Sequence, residues 1–213
     1  MKVTVIIDVF RAFTTASYVL NSQPQSYMLA LKQNVVDELA AKHMYSLVIG
    51  KPEKGTSSHV YHIPNSPSRV LEAQVKDRNI IHRTEAGAKG ILQAQDATII
   101  LAASFVNAGA TVRYIKTLKD YDLRIVPMGH EGSTPSLEDD ICSDYIASLI
   151  NNQKINFAQY IPQLKEGPGR YFFSSDQWQY PREDFDRCLE IDRFDFAIQA
   201  TVYENYAILK KCY

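Results

Sequence analysis

The sequence predicts an α/β protein: a three-layer α/β/α fold with a mostly parallel central sheet and a C-terminal strand hairpin. Three observations carry this expectation. Short β-branched apolar runs recur between residues 3 and 126, helix-patterned stretches separate most of them, and the last two apolar stretches flank Glu204 and Asn205 in the manner of a hairpin. With 213 residues, 46% hydrophobic and 22% charged, the chain is long enough for one sizeable core, so a single domain over 1–213 is expected, with 152–213 its C-terminal part.

Val3 to Ile7 ends in an acid and reads as a buried first strand that presents Asp8 to a loop, followed directly by a helix from Arg11 to Leu20. Further strands are expected at Tyr27–Leu31, Ser46–Ile49, Asn79–Ile81, Thr98–Ala102 and Leu123–Val126. Apolar residues at three- and four-residue spacing predict helices at Val35–His43, Ala86–Gln93, Asn107–Leu118 and Leu137–Asn151. Lys51 to Pro67, rich in Gly, Ser, His and Pro, is too long for an ordinary connector and reads as an active-site loop or small excursion. After Asn152 aromatic residues cluster from Tyr171 to Tyr180, a surface suited to covering the core or to a homodimer contact. A mixed-charge segment, Arg182 to Asp195, precedes the hairpin strands Phe196–Tyr203 and Tyr206–Leu209.

Lysine plus arginine (23) nearly balances aspartate plus glutamate (24), so no global field draws in nucleic acid or an anionic membrane, and any anion site must be local. No apolar run approaches the ~20 residues of a membrane span. The N-terminus reaches Asp8 too soon for a signal-peptide core, and Cys142, Cys188 and Cys212 are odd in number and widely spaced, so a reducing cytoplasm is expected.

In a parallel sheet, ligands bind beyond the carboxyl ends of the strands. Those positions are Asp8, Gly50 to Glu53, Arg83 to Glu85, Ser104, and Gly129 to Glu131. Four segments, in order, carry a family likeness: Ile6-Ile7-Asp8-Val9-Phe10-Arg11-Ala12-Phe13-Thr14-Thr15, Asn65-Ser66-Pro67, Ser104-Phe105-Val106-Asn107-Ala108, and Ser136-Leu137-Glu138-Asp139-Asp140-Ile141-Cys142. On these the chain resembles the ComB-like 2-phosphosulfolactate phosphatases over about residues 3 to 150, with a weaker echo at Cys188 to Asp195. Two stretches depart from that family's pattern: Gly50-Lys51-Pro52-Glu53-Lys54 keeps an acid but replaces arginine with lysine, and Glu85 stands where a neutral amide is typical.

The resemblance implies a Mg²⁺-dependent phosphomonoesterase acting on a small anionic phosphorylated substrate. Such a catalyst must hold the phosphoryl group, neutralise its oxygens and place a nucleophile in line. Oxygen-ligated Mg²⁺ can supply part of this. Neighbouring side chains on a helix diverge by ~100°, so at most two of the three consecutive acids can share one ion, and the resemblance, strongest at Glu138 and Asp139, implies these two with Asp8 as the metal ligands. Asp8 fits a ligand, a nucleophile and a cap of the following helix alike. Arg11 offers a planar fork for two oxygens and Glu53 an acid to orient water, and with Asp8 these form the expected catalytic set. Thr14, Lys51, Lys54, Asn65, Arg83, Thr84, Ser104 and Asn107, with Arg11, are the expected substrate contacts, although Ser136 also suits a helix cap and Asn65-Ser66-Pro67 a turn and helix start. His82 and His130 are candidate acids for the leaving group, more often structural when unpartnered.

Three alternatives stand beside this reading. A homologue that has lost activity and serves as an anion-binding or structural protein keeps the same fold. An isochorismatase-like cysteine hydrolase also opens with a strand ending in Asp, but it needs an activated thiol, and Cys142 falls in an apparent helix behind acids that raise its pKa. A zinc hydrolase is disfavoured because His130-Glu131 lacks the second histidine.

Overall fold

The protein is described by a computed structural model covering residues 1–56, 58 and 60–213. The expected loop at 51–67 therefore includes two residues, 57 and 59, outside those described. The chain opens with β1 (Lys2–Ile7) and α1 (Ala12–Asn21), then β2 (Ser26–Ala30), α2 (Gln33–Lys42) and β3 (Leu47–Ile49). After the long loop come α3 (Pro67–Glu72), β4 (Asn79–Arg83), α4 (Ala86–Gln93), β5 (Ile99–Ala103) and α5 (Ala108–Thr117). β6 (Asp122–Pro127) and α6 (Leu137–Ile150) follow, then α7 (Ile161–Glu166), α8 (Arg182–Cys188) and the hairpin β7 (Ala197–Val202) and β8 (Tyr206–Cys212). The first six strands and the hairpin match the expectation to within a few residues. Short α3, α7 and α8 were not marked by any periodicity, because six or seven residues span too few turns to show one.

Local chemistry explains the elements that frame the site. Ser66 accepts from the Arg69 amide and Pro67 opens α3, so the long loop ends in a capped helix start. Helix α1 is buried from Ala12 to Leu20, which accounts for its lack of charged residues. Two of its hydroxyls turn inward to the backbone: Thr14 donates to the Val9 carbonyl and Ser17 to that of Phe13, both at 2.9 Å, so neither of these is left unsatisfied in the core.

The sheet order is β3-β4-β2-β8-β7-β5-β1-β6. β3, β4 and β2 are mutually parallel, as are β5, β1 and β6. The hairpin lies between the two triplets, pairing antiparallel with β2 on one side and β5 on the other. Three successive antiparallel steps make the triplets run in opposite senses along the ladder. Their carboxyl ends nevertheless meet, because a twist of about 20–25° per strand accumulates to roughly 100–125° over the five steps from β1 to β4.

The core follows the same curvature. One sheet face contributes residues from both triplets and the hairpin, among them Ile6, Leu29, Ile49, Ile80, Ala102, Ile198 and Leu209, to one continuous cluster with α1 and α4. The other face splits into two clusters. One packs β1 and β5 beneath α5 and α6, and the other packs β2 and β4 beneath α2. The result is the expected α/β/α layering, wrapped around α1 and α4.

Candidate active site

The crevice where the strand ends converge has a volume of about 200 Å³ and is lined by Asp8 after β1, Lys51 after β3, Arg83 at the end of β4, Gly129 after β6, and Glu138 and Asp139 at the start of α6. Arg11, Asn65 and Thr84 also line it. A space this small accommodates a phosphoryl group and a short organic remainder. Gly50 lets the walls close: its φ is +119°, and a Cβ there would stand 2.4 Å from the Arg83 carbonyl oxygen.

Asp8 is both cap and crevice residue. Its Oδ1 accepts from the Ala12 amide at 2.9 Å at the start of α1. The Gly87 amide of α4 also favours its charged form, and a Cβ on Gly87 would stand 3.0 Å from Asp8 Oδ2 and from Phe13 Cζ. Burial outweighs these donors and the Arg11 charge, and raises the Asp8 carboxyl from 3.8 to about 6.

Asp139 accepts twice from backbone, from Val9 at Oδ1 and from Gly129 at Oδ2, both at 2.8 Å. It thereby ties the loop after β1 to the loop after β6, and brings acids from 130 residues apart in the chain to one place. Burial, then the charges of Asp8 and Glu138, hold its carboxyl well above the ordinary range. Burial raises Glu138 to about 7, with Asp8 and Asp140 adding to the rise. Its Oε2 is buried without a hydrogen-bond partner among the described residues. Asp140 is exposed, as the divergence of adjacent helical side chains requires.

Among the described residues, no group of three or more His, Cys, Asp or Glu side chains stands ready to hold a metal ion. The donors present nonetheless fit a hard cation in part. Asp8 and Glu138 offer oxygens only, burial and their mutual repulsion oppose their charge, and Glu138 Oε2 is orphaned. Asp139, the third expected ligand, has an amide on each carboxylate oxygen and ties two loops together, and like Asp8, which accepts from the Ala12 amide, it keeps further lone pairs on those oxygens.

Cations face these acids. Arg11 is buried and donates from Nη1 to Asp184 Oδ2 at 2.7 Å, with its guanidinium 4.9 Å from the Tyr180 ring centre and 5.6 Å from that of Phe172. Arg83 is also buried, donating to the Lys51 carbonyl at 3.2 Å and pairing with Glu85 at 3.1 Å. Glu85, the carboxylate that departs from the family pattern, thus spends its charge on Arg83.

Several expected contacts lie elsewhere. Glu53 and Lys54 line a neighbouring hollow, which shares Lys51, Arg83 and Glu85 with the crevice. Glu53 bonds Lys32 at 2.9 Å and the Gln33 amide at 3.1 Å at the start of α2, and Lys32 holds its carboxyl below the usual range. Thr14 is turned away into the core. Asn107 turns to backbone before α5, its Oδ1 accepting from the Ser104 amide at 2.9 Å and its Nδ2 donating to the Ala102 carbonyl at 3.2 Å, while the Ser104 hydroxyl is buried with no hydrogen-bond partner among the described residues. His82 is buried 2.5 Å from the Tyr27 hydroxyl, and burial lowers it to about 3, so it remains neutral. His130 lies on the crevice wall, exposed. Cys142 and Cys188 are fully buried, and desolvation raises both thiols, the reverse of an activated nucleophile.

Three contributors were not legible in the sequence. Tyr180, Gln179 and Asp184 come from the C-terminal part, the first two lining the crevice and the third buried behind Arg11. Asp184 also accepts from the Ser68 amide at 2.9 Å. The one available signal was two adjacent acids, Glu183 and Asp184, at the start of a mixed-charge stretch, which solvated helix starts share.

Fold and crevice together define an α/β protein with buried carboxylates set against guanidinium groups at the carboxyl ends of its parallel strands. The sequence profile of the 2-phosphosulpholactate phosphatase family matches residues 1–201, and the chain belongs to that family. A probable 2-phosphosulfolactate phosphatase of Bacillus subtilis is 28% identical over 203 residues, 92% of this chain and 86% of that protein. Proteins of the same description from Clostridium botulinum (strain Alaska E43 / Type E3) and Symbiobacterium thermophilum are 28% and 31% identical. Those two matches take in 73% and 70% of this chain, and 65% and 64% of the relatives, just under two thirds of their length.

Proposed function

We propose that the chain is a Mg²⁺-dependent phosphatase that hydrolyses a small anionic phosphate monoester of the kind its relatives' names describe, 2-phosphosulfolactate. One observation carries this reading: two buried, mutually repelling acids, Asp8 and Glu138, share a crevice of about 200 Å³ with Arg11, Arg83 and Lys51. Asp8 and Glu138 would hold the cation. When bound, Mg²⁺ supplies charge neutralisation for the phosphoryl oxygens.

The chain's own residues do the rest. Arg11, fixed by Asp184, directs its remaining N–H groups to phosphoryl oxygens, and Lys51 adds a mobile positive charge at the mouth. Asp8 either attacks phosphorus, breaking the bond to the ester oxygen and forming an aspartyl phosphate that water then hydrolyses to free phosphate, or takes a proton from the attacking water, a task suited to a carboxyl raised to about 6. The leaving oxygen takes its proton from water or from His130 on the crevice wall. Three free cysteines, two of them buried, fit a reducing compartment, and we place the chain in the cytoplasm. The exposed rings of Tyr171, Phe173 and Trp178 would accept a second copy in a homodimer.

A second reading, an anion-binding homologue without turnover, draws on the Arg83–Glu85 pair, which reduces the positive charge available to a substrate. Turnover of a panel of small phosphate monoesters, 2-phosphosulfolactate included, separates the two when measured with Mg²⁺ and with a chelator. Mg²⁺-dependent release of phosphate is expected. Uniform inactivity of a folded protein, with inorganic phosphate still bound, would favour the second reading.

A further inference from the structure

We infer that Asp184 is a positioning residue for Arg11, so that the C-terminal third of the chain builds the anion clamp; this rests on the proposed phosphatase reading of the same crevice. Arg11 follows β1, and nothing in its own segment anchors its guanidinium. Residues 172 to 184 do. Phe172 and Tyr180 hold the guanidinium at 5.6 and 4.9 Å from their ring centres, and Asp184 accepts from Nη1 at 2.7 Å.

Asp184 is fully buried and Arg11 is 6% exposed, so water competes little for either partner. A guanidinium pinned through one nitrogen and held between rings keeps its other donors in a fixed plane, as two-point recognition of a phosphoryl group requires. The same carboxylate reaches a second wall of the crevice. Its Oδ1 accepts from the Ser68 amide at 2.9 Å in the first turn of α3, three residues after the crevice-lining Asn65. One buried acid thus fixes two lining segments from different parts of the chain. An acid needed only to cap α8 would have no use for Arg11, and Asp184 makes no bond to an α8 amide that would mark it as such a cap.

The test is a double-mutant cycle on kcat/KM, using the Mg²⁺-loaded full chain and its best phosphate monoester. Asp184→Asn keeps the shape and removes the charge. It is expected to lower kcat/KM by about 10²-fold, the scale of a small misplacement of a catalytic group, and Arg11→Ala by about 10²–10³-fold. In the Arg11→Ala background, Asp184→Asn is expected to change kcat/KM by less than about twofold, because the group it positions is gone. A merely structural role predicts the same loss in both backgrounds. If Asp184→Asn fails to fold, Tyr180→Leu, at a half-buried site, carries the same cycle with a smaller single effect. Additive losses in an active enzyme overturn the positioning role alone. A folded wild-type chain without phosphatase activity overturns the functional reading, and the role of Asp184 with it.

Discussion

Asp8→Asn isolates the energetic cost of the acid site. The Asp8 carboxyl is raised from 3.8 to about 6, chiefly by burial, so the folded state binds its proton more tightly than the unfolded state does. Stability therefore falls as pH rises from about 4 through about 6, and above that the ionised group costs the metal-free protein about 3 kcal/mol. Asparagine removes this penalty. It keeps an acceptor for the Ala12 amide but sets a second donor toward the Gly87 amide, at a cost of about 1 kcal/mol. The net gain at pH 7.5 is about 2 kcal/mol, or roughly 4–8 °C in Tm for a chain of this size. The assay is thermal unfolding of both proteins in chelator at pH 4.5 and 7.5. Asp8→Asn is expected to melt higher at pH 7.5 and no higher than wild type at pH 4.5. Mg²⁺ at pH 7.5 is expected to raise the melting temperature of the wild type and not of the variant, which also loses turnover. An equal offset at both pH values, or a variant less stable at pH 7.5, would refute the argument that burial charges the site with unfavourable energy awaiting a cation.

Two further outcomes follow from the same geometry. Glu138→Gln removes an acid raised to about 7 by burial, so in chelator it is expected to stabilise the protein above that pH and to weaken Mg²⁺ binding about tenfold or more, read by calorimetric titration. Gly87→Ala places a Cβ 3.0 Å from Asp8 Oδ2, and displacement of that carboxylate is expected to reduce turnover about 10²-fold while the far-UV dichroism stays that of the wild type.

The alternation of β-branched runs with helical stretches was enough to place β1 to β6 and the five longer helices α1, α2, α4, α5 and α6, because each depends on apolar spacing within a dozen residues. The strand-end rule then picked out Asp8, Lys51, Arg83, Thr84 and Gly129, all of which line the crevice. Helical divergence limited the three consecutive acids to two at one site, the family pattern pointed to Glu138 and Asp139, and these are the two that are buried while Asp140 is exposed. Residues with two competing local roles were not decided at that level. Thr14 and Asn107 bond nearby backbone, and Glu53 turns to Lys32, because in each case a nearby partner wins over a distant ligand.

Residue types and their spacing along the chain, then, were sufficient for the layers, for the first acid and its neighbouring arginine, and for the family pattern, since these follow from short-range sterics and from burial of one face. The hairpin at the centre of the sheet, the twist that turns two opposed triplets toward a common mouth, and the carboxylate of Asp184 behind Arg11 came only with the folded chain. Pairings between groups 173 residues apart leave no periodic trace, because the energy that selects them exists only once the intervening chain has packed.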